Sequence, residues 1–148
     1  MDRPVRPDFA DEVTIWHSTD QLEYVLTRDV LLVHNAQGAL GADSPIRSVF
    51  AASYQCDNAL IDVFSLVATG PDGTEVASPQ VAVYTLDADG KVCRIDAFMD
   101  AAGMAKFPDL SGLGAKDPAG PAIAESRARG RQWYPGMAEL QPSTEGRE

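Results

Sequence analysis

Along the first hundred residues the spacing of apolar side chains changes several times. Val13-Thr14-Ile15-Trp16-His17 is β-branched and aromatic and predicts a short strand. Ser18, Thr19 and Asp20 follow, all good helix N-caps, and the pairs Ser18/Gln21 and Asp20/Glu23 have the spacing of a capping box. Leu22, Val25, Leu26, Asp29, Leu32, Val33 and Ala36 then recur at helical spacing. That pattern predicts one amphipathic helix over 20–37, ended by Gly38 and Gly41.

After Pro45 the period shortens to that of strands. Ile46 to Cys56 alternates, and Leu60 to Thr69 is apolar on both sides, so both faces of that strand are expected to be covered. Pro71-Asp72-Gly73 reads as a turn, and Val76 to Leu86 as the next strand, with Pro79 marking a bulge or an edge. Asp87-Ala88-Asp89-Gly90 is the clearest hairpin turn, because Asp-Gly readily supplies the positive φ such turns need. Lys91 to Met99 closes the series. Strand, helix, then a run of strands with tight connections predicts an α+β fold with a mostly antiparallel, curved sheet.

Composition narrows the class. The chain has 148 residues, 45% of them hydrophobic, enough for one ordinary domain with a core. No apolar stretch approaches the roughly 20 residues that span a bilayer, and Met1-Asp2-Arg3-Pro4 opens without the apolar run of a secretory signal. A cytoplasmic location is the expectation. The 12 basic residues face 22 acidic ones, for a net charge of −10, which argues against nucleic acid as a partner of the main body. All of that charge lies in the first hundred residues, whereas the remainder is neutral and collects Pro and Gly. The chain therefore divides into a folded domain over 1–103 and a Pro/Gly-rich arm over 104–148. Cys56 and Cys93 are too few for a disulfide framework and read as buried thiols in a reducing compartment.

Two phrases resemble a known superfamily. Phe9-Ala10-Asp11-Glu12-Val13-Thr14-Ile15-Trp16-His17 is similar to the opening of the first strand in nuclear transport factor 2-like domains. These include ketosteroid isomerase, limonene epoxide hydrolases and SnoaL-like polyketide cyclases. Tyr84-Thr85-Leu86, Asp89-Gly90-Lys91-Val92 and Arg94-Ile95-Asp96-Ala97-Phe98-Met99-Asp100 resemble that superfamily's final hairpin. The resemblance spans about residues 9–100 and implies a cone: a curved sheet around helices, enclosing an apolar pocket, with the convex face pairing subunits. The superfamily opens with a helical hairpin, whereas only 12 residues precede Val13. That wall is then missing, supplied by the arm or another subunit, or encoded upstream.

The resemblance places His17 where ketosteroid isomerases carry a general-base aspartate. An imidazole there could take a proton alpha to a carbonyl or activate a water, while its structural alternative is hydrogen bonding in the core or capping the helix. The positions of the epoxide hydrolases' Arg-x-Asp pair and final Asp fall on Val63, Ser65 and Ala97, which cannot do that chemistry. Asp96 takes the last place only if the strand shifts by one and turns its faces over. Tyr24 and Tyr54 could replace the isomerase oxyanion donor. The expected pocket lining is Ile61, Val63, Ser65, Val67, Ile95, Ala97 and Met99, with His17 beside it and Trp16 nearby. Such an apolar lining suits a steroid-, terpenoid- or polyketide-like ligand, or is simply core.

The opposite faces carry Leu60, Asp62, Phe64, Leu66, Ala82, Tyr84, Arg94, Asp96 and Phe98, aromatics among charges. A homodimer through Phe64, Leu66, Tyr84, Arg94 and Phe98 is the expectation, with coverage by the arm as its alternative. Within the arm, Arg127, Arg129, Arg131 and Trp133 are expected to dock on the acidic body, and Ala122 to Arg129 to form a short helix stopped by Gly130. His34 falls at a helix C-terminus and is assigned no chemistry. Two distant histidines give no zinc set, and no phosphate loop or nucleophile elbow is present, so no metal or cofactor is expected. The leading function is a small-molecule pocket performing isomerase- or cyclase-type proton transfer on an apolar carbonyl compound, with His17 as base. The alternative is a non-catalytic binding or dimerisation domain, and epoxide hydrolysis ranks third.

Overall fold

The computed structural model describes residues 6–37, 44–70, 72–107 and 117–134. Its strands are β1 (Phe9–His17), β2 (Leu22–Thr27), β3 (Ile46–Cys56), β4 (Ala59–Thr69), β5 (Glu75–Leu86), β6 (Val92–Met99) and β7 (Arg131–Gln132). The helices are α1 (Arg28–Gln37), α2 (Ala101–Met104) and α3 (Gly120–Ala128). One open seven-stranded sheet runs in the order β3-β4-β5-β6-β1-β2-β7. Every pairing is antiparallel except β1 with β6, the first strand beside the sixth. This is the expected α+β architecture. Gly38, Gly41 and Pro71, read as helix stops and turn, lie outside the described residues.

The helix expected over 20–37 forms only in its second half. Leu22, Tyr24 and Leu26 alternate with Glu23, Val25 and Thr27, and this period of two wins because β1 offers a partner, with Ile15 opposite Tyr24 and Val13 opposite Leu26. The reversal between the strands uses Gln21 at φ 52. Asp20 Oδ1 accepts from the Leu22 amide at 3.1 Å, so Asp20 shapes a turn rather than a helix start. The true cap is Thr27, whose hydroxyl accepts from the Val30 amide at 3.4 Å. The Asp87–Gly90 turn forms as its residues dictate. Gly90 has φ 74, and Asp87 Oδ1 accepts from the Asp89 and Lys91 amides at 2.9 and 3.0 Å.

All three helices pack on one face of the sheet. Leu31 and Val30 of α1 and Ile123 of α3 meet Val13, Ile15, Tyr24, Leu26 and Val92 in one cluster. Met104 and Phe107, at and after α2, cover Ile46, Leu66 and Ala68 in a second. Burying a side chain such as Leu26 or Leu31 contributes about 1.5–3 kcal/mol, so these two clusters fix the helices to the sheet. The arm takes part directly. α3 packs on β2 and α1, β7 adds to the edge of β2, and Asp117 fixes the entry to α3 by accepting from the Ala119 amide at 2.9 Å. Cys56 is exposed at the end of edge strand β3, and Cys93 is half-buried. The reading of both as buried thiols is corrected accordingly.

Candidate functional site

Register decides which side chains share the helix-covered face. His17 on β1 lies opposite Ala97 on β6, Ala97 opposite Ala82 on β5, Ala82 opposite Asp62 on β4, and Asp62 opposite Ser53 on β3. Registered partners point to the same side, so these five side chains make one row across the sheet. Strand spacing of about 4.8 Å separates the His17 and Asp62 backbones by about 14 Å. Two alanines floor the gap. Ile15, Ile95, Tyr84 and Leu60 form the next row on one side, and Met99, Gln80 and Phe64 the next on the other.

This register divides the expected pocket lining. Ile95, Ala97 and Met99 lie on the helix-covered face with His17. Ile61, Val63, Ser65 and Val67 point to the opposite, open face, beside Val81, Val83 and Phe98. Trp16 and Tyr54 also belong to the open face, Trp16 with Asp96 and Tyr54 with Ile61. The expected dimer surface divides in the same way: Arg94 and Phe98 are on the open face, but Phe64, Leu66 and Tyr84 are under the helices. The cause is β4, where every second residue is apolar on either choice of face. Asp62 looks like the outward-facing member, yet it is 2% exposed. Arg6, from the segment before β1, reaches in to pair with it.

At the β1 end of the row the site is built around His17. Its ring meets Tyr24 edge-on, with centroids 6.1 Å apart, and donates or accepts no hydrogen bond among the described residues. Burial holds its pKa below 6.5, nearby Asp20 opposes that shift, and Arg127 and His34 add to it. Tyr24 is 6% exposed. Burial raises its pKa, opposed by Arg127, whose guanidinium lies 5.1 Å from the ring centroid. Arg127 pairs with Asp20. Burial alone would raise Asp20, but the Arg127 and Leu22 hydrogen bonds outweigh it and hold the carboxyl below 3.8. His34 Nδ1 lies 2.5 Å from Asp117 Oδ2, tying α1 to the entry of α3. Burial would likewise raise Asp117, and the His34 and Ala119 hydrogen bonds reverse it.

The β4 end is polar and more deeply buried. Asp62 accepts from the Ser53 hydroxyl at 2.8 Å and from Arg6. The Arg6 guanidinium lies 4.3 Å from the Tyr84 ring centroid and 5.8 Å from that of Phe50. Close by, Gln80 Nε2 donates to Ser78 Oγ at 3.3 Å, and the Ser78 hydroxyl donates to the Asp100 carbonyl at 3.2 Å. Sequence reasoning missed Asp62 and Arg6 as members of the face. A lone carboxylate inside an otherwise apolar strand was the available signal for the first. Arg6 belongs to no periodic segment and gave none.

Two open clefts lie elsewhere on the molecule, and neither is lined by His17 or Asp62. One of about 550 Å³ lies on the open face among Trp16, Val83, Arg94, Asp96, Phe98 and Trp133. There Arg94 donates to Asp96 and to Glu23, and Trp133 Nε1 donates to Glu23 at 3.0 Å, anchoring the arm. The other, of about 570 Å³, separates β2 from α3 and is lined by Tyr24, Val30, Glu125 and Arg129 among others. Among the described residues no cluster of His, Cys, Asp or Glu could hold a metal ion, and no helix is long and apolar enough to cross a membrane.

The sequence matches no family model, and no curated protein is significantly similar to it. Solved structures do match its backbone. A nuclear transport factor 2-like protein of unknown function from Cytophaga hutchinsonii superposes with a TM-score of 0.50 at 14% identity, over 63% of this chain and 80% of its own. A protein of Jannaschia sp. provisionally described as a SnoaL-like polyketide cyclase gives 0.51 at 18% identity, over 66% and 71%. One from Shewanella putrefaciens with the same provisional description gives 0.50 at 14%, over 66% and 68%. With the strand order and helix placement above, these likenesses establish that the chain has the nuclear transport factor 2-like α+β cone fold.

Proposed function

We propose that the helix-covered face binds an apolar carbonyl compound and that His17 moves a proton on it, in an isomerase- or cyclase-type reaction. The observation that carries this reading is His17 itself: a half-buried imidazole on the covered face, free of hydrogen bonds to described residues and kept neutral by burial. A neutral imidazole near pH 7 can take a proton from the carbon alpha to a carbonyl. The electron pair of that C–H bond passes into the enolate, and the imidazolium then returns the proton to another carbon. In a cyclisation the enolate carbon instead bonds to a second carbonyl, whose oxygen takes the proton. Asp20 favours the imidazolium by its charge, and Tyr24, kept protonated by burial, can donate to the enolate oxygen. The provisional description of two fold neighbours as polyketide cyclases accords with this chemistry.

Deuterium uptake from heavy water into enolisable steroid-, terpenoid- and polyketide-like ketones, followed by NMR, tests the proposal. The wild type is expected to exchange the alpha position and His17→Gln to lose that rate by about 10²–10⁴-fold. Unchanged exchange in His17→Gln removes the imidazole from the mechanism. A ketone that raises the thermal midpoint of both proteins while neither exchanges supports the second reading, a non-catalytic binding or dimerisation domain. Two observations favour that reading: Arg6 occupies the β4 end of the covered face, and Phe98 and Trp133 stand 46% and 47% exposed on the open one. Self-association would then use the open face, through Arg94 and Phe98, without Phe64, Leu66 or Tyr84.

A further inference from the structure

We propose that Arg6 is the tethered occupant of a recognition site for a small guanidinium compound, formed by the Asp62 carboxylate and the rings of Tyr84 and Phe50. The inference goes beyond the proton-transfer reading and does not depend on His17.

The box has the parts such a cation needs. Asp62 is 2% exposed and fixed by the Ser53 hydroxyl at 2.8 Å, so it presents a positioned, desolvated charge. A carboxylate in that setting is stable only with a cation against it. Tyr84 and Phe50 supply ring faces for a planar cation, at 4.3 and 5.8 Å from the bound guanidinium carbon. The net charge of −10 draws cations toward the molecule.

The present occupant fits the box incompletely. Arg6 meets Asp62 through Nη2 alone, and its Nε is buried with no partner among the described residues. A guanidinium prefers a carboxylate through two parallel N–H bonds. Arg6 cannot choose its approach, because Pro7 follows it and the Asp8 carbonyl is held by the Val92 amide at 2.8 Å. A free guanidinium compound has no such constraint and can align both nitrogens. It competes with a tethered side chain, whose effective concentration is on the order of millimolar. Entry of that compound requires Arg6 to swing out about Pro7, and this uncovers the polar end of the face.

Thermal midpoints of the full chain in methylguanidinium chloride, with sodium chloride as the ionic control, test the site. In Arg6→Met the midpoint is expected to rise saturably, by about 3 °C at a tenfold excess over half-saturation. The wild type, in which Arg6 competes, is expected to need a higher concentration for the same rise, and Arg6→Met/Asp62→Asn, without the carboxylate, is expected not to respond. Methylammonium, lacking the planar fork, is expected to shift Arg6→Met less. No rise in Arg6→Met, or an equal rise in the double variant, overturns the site. An equal rise with methylammonium overturns its guanidinium preference. Should Arg6→Met not fold unaided, recovery of native circular dichroism on adding methylguanidinium is the supporting result, and absence of recovery in both it and Arg6→Gln overturns the proposal.

Discussion

The two ends of the covered face solve the same problem, a carboxylate beside an arginine, in opposite ways. At the β1 end Asp20 pairs with Arg127, and their side chains are 33% and 34% exposed. Water shares the work there, and neither charge depends fully on the other. At the β4 end the corresponding exposures of Asp62 and Arg6 are 3% and 17%. Almost no water reaches that carboxylate. The first arrangement acts on a neighbouring imidazole, and the second neutralises a carboxylate that water does not reach. Two small side chains, Ala97 and Ala82, separate them in the row.

Removing the arginine at each end breaks the comparison most sharply. Arg6→Met leaves a buried carboxylate unpaired and is expected to cost about 3–5 kcal/mol in urea unfolding. Arg127→Met, at the wetter pair, is expected to cost about 1 kcal/mol or less. Equal losses would erase the distinction. The two faces can be contrasted in the same way. Phe64→Arg puts a charge under the helices, against the Phe50 ring with centroids 5.4 Å apart, and is expected to cost about 2–3 kcal/mol. Phe98→Arg, 46% exposed, is expected to leave stability within about 0.5 kcal/mol. If the open face pairs subunits, the same substitution shifts the sedimentation velocity profile toward monomer; an unchanged profile sinks that assignment.

The smallest effect is a slope with pH. Folding lowers the pKa of His17 below 6.5, so the unfolded chain holds the proton more firmly. Its share of stability is complete above pH 6.5 and is lost as pH falls from there through the lowered value. His17→Gln is expected to flatten that part of the profile in denaturant titrations. Asp20 and Asp117, both held below 3.8, keep their contributions down to that pH and lose them only on further acidification.

Much of this was legible in the residues, for reasons that also explain the failures. The strands from Ile46 to Met99 were readable because alternation and Asp-Gly turns are local signals. The β1–β2 hairpin was not. Leu22, Val25 and Leu26 satisfy a helical period as well as Leu22, Tyr24 and Leu26 satisfy a strand, and only pairing with β1 decides between them. The faces of β4 were ambiguous because both carry large apolar residues, and a buried aspartate violates the usual sign rule until its cation is known. His17 stood out only through the resemblance, which places it where ketosteroid isomerases carry a general-base aspartate. Of the charges that act on it, Asp20 lies three residues on in the same turn, but Arg127 and His34 come from α3 and α1, and no spacing along the chain reveals that meeting.

The one parallel pairing, β1 beside β6, sets the order of events during synthesis. Residue 14 must find residue 94, so the first hairpin made has no lasting neighbour until the last long strand has left the ribosome. β3, β4, β5 and β6 can zip by short turns as they emerge, whereas closing the long loop back to β1 demands a search across most of the chain. Until then α1, made directly after β2, can cover part of the apolar side of the hairpin, but the β1 edge that takes β6 stays unpaired and open to wrong partners.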